Sequence, residues 1–222
     1  MKILMLLLVF SCSLLHSQNS YEKASDSDSK AIEILKSIEK DFTQTKSHLI
    51  GFDFMVESPA NAKDTYKGTL LQSGDSFELD LGDKKIITDN ETVWLYLKDD
   101  NEIQINDADF GDDGEYMSPS KIFNLYKSDE FVFAISNYGK EEGKSIVQIE
   151  GKPVDPESEY SKVRLTIEDQ TLNVKRLKIF LKDGGRMTTQ ILSHDKNVAL
   201  TKSNFKFIAA DYPGVMVEDL RF

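Results

Sequence analysis

Three tetrads, Ser27 to Lys30, Ser118 to Lys121 and Ser193 to Lys196, match the Ser-x-x-Lys spacing with which penicillin-binding enzymes pair a nucleophile and a base. No Lys-Thr-Gly or Ser-Asp-Asn accompanies them, and a pattern that recurs three times in 222 residues carries little information. Ser118-Pro119 has the form of a helix start, with serine as cap and proline in the first turn. Ser193-His194-Asp195 holds the three residue types of a hydrolase triad, but side by side. Neighbouring side chains on a strand point to opposite faces, so these three cannot converge on one proton. Neither a Gly-x-Ser-x-Gly elbow nor a glycine-rich phosphate loop occurs.

Metal chemistry fares no better. The acidic stretch Asp107 to Glu115 invites a calcium loop, but counting from Asp109 puts Gly111 at the third position and Ser120 at the twelfth. Both should supply oxygen from a carboxylate or its equivalent, so a solvated loop is expected. His48 and His194 are read as surface residues rather than ligands. The sole cysteine, Cys12, lies in an apolar leader. No enzyme activity, metal or cofactor is expected.

The charge excludes one class of partner. With 38 acidic against 27 basic residues the formal charge is -11, which repels nucleic-acid backbones. Met1-Lys2, the apolar run Ile3 to Phe10, Leu14-Leu15 and then His16-Ser17-Gln18 read as a secretory signal peptide over residues 1–17, cleaved after Ser17. Cys12 is either a spectator in that signal or, through Val9-Phe10-Ser11-Cys12, a lipidated residue. Residues 18–29 read as a flexible leader. Periplasmic export is expected.

Residues 30–222 then form one domain. Ala31, Ile32, Leu35, Ile38 and Phe42 recur at helical spacing, with Asp28 or Ser29 as cap. After His48 the period becomes two, and short runs separated by Ser73-Gly74, Gly82-Asp83, Asp89-Asn90 and Asp99-Asp100-Asn101 indicate an antiparallel meander of about eleven strands. Phe205 and Phe207 close the series as a last strand.

The strands carry many large apolar residues on what should be their inward face. Phe52, Phe54, Leu70, Phe77, Leu79, Trp94, Tyr96, Phe131, Phe133, Leu165, Leu177 and Ile179 are the candidates. They form either an ordinary packed core or, under a strongly bent sheet, the lining of an apolar hollow. In the second case Trp94 fluorescence should respond to ligand. The helix stripe Ile32, Leu35, Ile38 and Phe42, with Ile122 and Phe123 of the short central helix, would be the lid.

The order of these features resembles the outer-membrane lipoprotein carrier (LolA) family over about residues 30 to 221. The resemblance rests on Gly68-Thr69-Leu70, on Ile86-Ile87-Thr88-Asp89-Asn90-Glu91-Thr92-Val93-Trp94-Leu95-Tyr96, on Ser118-Pro119 and on the ending Pro213-Gly214-Val215-x-Val217-x-Asp219. It implies an unclosed antiparallel β-barrel covered by helices, holding lipoprotein acyl chains. It also implies an inner-membrane ABC transporter as donor and an outer-membrane acceptor. Better-known members carry an arginine that ties the lid to the barrel; here the corresponding stretch is Leu71-Gln72-Ser73-Gly74-Asp75. A divergent branch fits, with carriage of lipoproteins as the first expectation and binding or sensing of another hydrophobic ligand as the second.

Overall fold

The computed structural model describes residues 23–60, 62–109 and 125–221. The expected signal peptide, residues 18–22 of the leader, most of the acidic loop, Ser118-Pro119, Ile122 and Phe123 lie outside the described residues.

Among the described residues, one α-helix and one sheet make the fold. Helix α1 spans Ser29–Gln44, and Asp28 is its cap, its carboxylate accepting from the Lys30 N–H at 2.8 Å. Strands follow at β1 His48–Glu57, β2 Lys63–Ser73, β3 Ser76–Asp80, β4 Lys84–Thr88, β5 Thr92–Leu97 and β6 Glu102–Asp107. After the 3-10 turn Leu125–Lys127 come β7 Phe131–Glu141, β8 Lys144–Pro153, β9 Tyr160–Glu168, β10 Val174–Leu181, β11 Arg186–Lys196 and β12 Met216–Asp219. Turn chemistry sets the hairpins. Gly74, at φ 59°, makes the two-residue turn between β2 and β3. Between β4 and β5 the Asp89 carboxylate accepts from the N–H groups of Glu91 and Thr92, and Asn90 takes the left-handed conformation at φ 74°.

The sheet runs β12-β6-β5-β4-β3-β2-β1-β11-β10-β9-β8-β7. Two meanders are therefore joined where β1 pairs with β11, and the barrel is unclosed between β12 and β7. The β7 edge is partly covered. The Phe133 N–H donates to Ser27 Oγ at 3.0 Å, and the Asp28 N–H donates to the Phe133 carbonyl at 2.7 Å. This satisfies an edge that would otherwise invite another strand, and it anchors the start of α1.

Eleven strands stand where alternation places them; the twelfth does not. Phe205 ends a 3-10 turn, Lys202–Phe205, begun by a capping box between Thr201 and Asn204, and its ring is buried. One anchored ring satisfies the Phe-Lys-Phe pattern as well as a strand does, and three residues cannot tell the two apart. The true last strand, β12, pairs parallel to β6 and is exposed throughout, so no alternation marks it.

Two apolar clusters occupy the face under α1. One joins Ala31, Leu35 and Ile38 to Phe131, Phe133, Val147, Ile149, Val163 and Ile167. The other joins Phe42 to Ile50, Phe52, Leu70 and Phe77. Each contains a ring folded over a glycine of the neighbouring strand: Phe52 over Gly68, and Phe133 over Gly151. A Cβ on Gly151 would stand 2.6 Å from Phe133 Cε1 and 2.9 Å from Val163 Cγ2. Gly151→Ala should therefore overpack the first cluster by about 1–3 kcal/mol. Thermal unfolding should show a midpoint lower by about 2–4 °C for each kcal/mol; an unchanged midpoint would mean that the ring is free to lift.

Candidate functional site

The site grows from the apolar stripe of α1. Ala31, Leu35, Ile38 and Phe42 follow one another at helical spacing and are all buried against the sheet. Toward the helix's C-terminal end the contact loosens. There Ile38, Phe42, Ile50, Leu172, Val174 and Ile191, with Asp41, Asn173 and His194 at its polar side, line a cleft of about 80 Å³. Ligand pockets usually measure about 300–1,000 Å³. The cleft left beside the seated helix is thus well below that size.

Four groups hold the helix down. Its start is anchored at Phe133, as above. Midway, Glu39 takes an ion pair from Lys127 at 2.5 Å and a hydrogen bond from the Tyr126 hydroxyl. Those two donors hold the Glu39 carboxyl below its ordinary pKa, while burial and the same carboxylate push the Tyr126 phenol up to about 12. Near the end, Asp41 pairs with Lys196 of β11 at 2.5 Å. Last, the Phe42 carbonyl accepts from His48 Nε2 at 3.0 Å, and the two rings stack 4.0 Å apart.

Most of the sequence candidates meet here. Phe52, Leu70 and Phe77 form the second cluster, with Phe54 and Leu79 half-buried against it. Phe131 and Phe133 belong to the first, with Leu165, Ile179 and Ile32 packed on it. Leu177 stands opposite Leu165 in the β9–β10 register and so shares that face.

Trp94 and Tyr96 do not join them. Phe77 pairs with Thr88 and Thr88 with Val93, so Val93 shares the face of Phe77. Trp94 pairs with Ile87, which pairs with Glu78, and so lies on the opposite face, as does Tyr96. Tyr96 packs edge-on against Tyr212 at 4.8 Å and donates to Asn101. The run Val93-Trp94-Leu95-Tyr96-Leu97 is apolar at every position, so its two faces cannot be told apart by period. The C-terminal segment covers one of them.

The histidines are also elsewhere than expected. His48 is 3 % exposed, and its Nδ1 lies 2.9 Å from His194 Nε2. A bulge brings His194 inward: Phe52 pairs with Ile191 and Gly51 with Ser193, leaving Leu192 unpaired and 60 % exposed. Both Ile191 and His194 consequently reach the cleft, and no periodic reading finds them together. The face away from α1 differs in kind. There Lys162, Arg164, Lys178 and Arg186 stand around Phe180, with their cationic groups at 5.0–6.0 Å from its ring centre. Among the described residues no cluster of three or more metal-ligating side chains occurs, and no helix is long and apolar enough to cross a membrane.

An unclosed antiparallel sheet with its apolar face packed under α1 is the architecture that comparison with known proteins can place. The family profile described as "Outer membrane lipoprotein carrier protein LolA" matches residues 33–208, and the chain belongs to that family. No curated protein matches it. Among solved structures, an uncharacterized conserved protein from Thermus thermophilus is similar at a TM-score of 0.57 and 12% identity, over 87% of this chain and 99% of that one. LprF from Mycobacterium bovis is similar at a TM-score of 0.46 and 13% identity, over 79% and 97%. A DUF1329 family protein from Desulfovibrio piger is similar at 0.45 and 11%, over 80% and 96%.

Proposed function

We propose that the protein carries lipoprotein acyl chains between α1 and the sheet, in the periplasm, without catalysing a reaction. In this reading it takes lipoproteins from an inner-membrane ABC transporter and hands them to an outer-membrane acceptor. The observation that carries it is the cleft beneath the C-terminal half of α1. It opens directly onto both apolar clusters, so lifting one helix would bare a single continuous apolar face. Each methylene transferred from water to such a face gains about 0.8 kcal/mol. An acyl chain therefore needs no specific bond to be held, and α1 returning to its own seat supplies the competition that lets cargo go. Family membership supports the class of ligand.

The protein purified from its native envelope without detergent, then analysed by intact mass and lipid extraction, should retain acylated species. The same preparation, stripped, should bind one equivalent of an acyl-chain probe. Absence of both from a folded sample would return the two clusters to the role of an ordinary core.

A further inference from the structure

The histidine pair, His48 buried and His194 half-buried, joins β11 and β1 to the last turn of α1. Its hydrogen bonds explain its presence. The Phe42 carbonyl can only accept, so His48 Nε2 carries the proton. Neutral His48 then presents a bare Nδ1, and His194 Nε2 must donate to it across 2.9 Å. The chain of donors runs from β11 through β1 to the last turn of α1. It ends on the Phe42 carbonyl, which also accepts from the Thr45 N–H at the helix end.

We infer that His48, oriented by His194, is the positioning residue that seats the C-terminal end of α1, and that protonation of both rings unseats it. A first proton is tolerated, because it enters at His194 Nδ1 and leaves the donor chain intact. A second must enter at His48 Nδ1. Two N–H groups then face each other at hydrogen-bond distance, and the rings must part. Phe42 stacks on the His48 ring, so it moves with it.

The surroundings set the direction of the pH response. Burial pulls both rings below the ordinary histidine pKa, and Lys196 on β11 acts the same way. Asp41 on α1 opposes this at both rings, and Asp195 on β11 opposes it at His194. From β2, the residue opposite His48 is the uncharged Gln72. A depressed pKa means that the seated form holds the rings neutral. Its contribution is complete above the ordinary value of about 6.5 and is lost as pH falls below it. The Ser27, Asp28 and Glu39 contacts do not depend on either ring, so release is confined to the cleft end of the helix.

That this end admits cargo rests on the carrier reading; the latch itself does not, and the test separates them. Amide exchange across residues 38–44 and binding of an apolar dye are followed from pH 7.5 to 5 in the full protein without lipid. In wild type, protection should fall and dye binding should rise as pH drops. His48→Phe keeps the stack and loses the donor, so it should sit open at every pH, with about threefold to tenfold more dye bound at pH 7.5. His48→Gln keeps an N–H donor that does not titrate, and should stay closed throughout. A flat wild-type profile, or a His48→Gln profile as steep as wild type, overturns the inference even if His48→Phe fails to fold. Acyl-probe affinity at pH 7.5 is a separate arm: its loss with the latch response intact would count against carriage and not against the latch.

Discussion

Leu35→Ala combined with Ile38→Ala should leave the sheet folded, raise apolar dye binding several-fold and slow release of cargo to an acceptor. Both side chains are buried in the cluster that contains Phe133, Val147 and Ile149. Truncating a buried leucine or isoleucine costs about 2–5 kcal/mol, the larger values where a rigid cavity is left. Ile38 already borders an open cleft, so its loss enlarges an existing space, and the low end applies. The strand ladders do not pass through α1, and the anchors at Phe133 and Glu39 stay in place. What is lost is the competition between helix and cargo for one surface. Far-UV circular dichroism that keeps its strand signal, together with a gain in dye fluorescence, is the expected result. Global unfolding without that gain would mean that α1 is a structural plug.

Ile191→Glu should abolish acyl binding while sparing the fold. Ile191 is half-buried, packs against the second cluster and lines the cleft. Without cargo, a glutamate there can turn its carboxylate to the open side. With cargo it cannot, and an ion taken from water without a partner costs several kcal/mol. Each 1.4 kcal/mol is tenfold in affinity, so a loss of about a hundredfold or more is expected. Trp94→Phe is the matched control. Trp94 lies on the other face, so affinity should change by less than about twofold. Its emission should stay constant on loading, contrary to what the sequence suggested. Titrating an acyl probe into both variants reads the contrast directly.

Where one face of an element is apolar and the other is not, the sequence was legible. The α1 stripe stands as read, with Asp28 the cap of the two offered, and so do the clean alternations of Val163, Leu165 and Ile167 and of Leu177 and Ile179. Where both faces are apolar it was not. Trp94 and Tyr96 belong to such a run, and what decides their side is a C-terminal segment more than a hundred residues away. The cleft was half legible: Ile38 and Phe42 come from periodicity, but Ile191 and His194 depend on a bulge at Leu192 that displaces the parity of β11. The histidine pair joins positions 48 and 194, and nothing local to either announces it. β12 carries no apolar period because neither of its faces is covered.

A photoreactive acyl probe, loaded and cross-linked on the folded protein and then mapped by peptide mass, tests carriage beneath α1 most directly. Adducts are expected on α1 between Ala31 and Phe42 and on the facing positions Ile50, Phe52, Val174 and Ile191, with none at Ile87, Trp94 or Tyr96. Adducts confined to those last three positions and the C-terminal segment, or stoichiometric loading with none beneath α1, would contradict it.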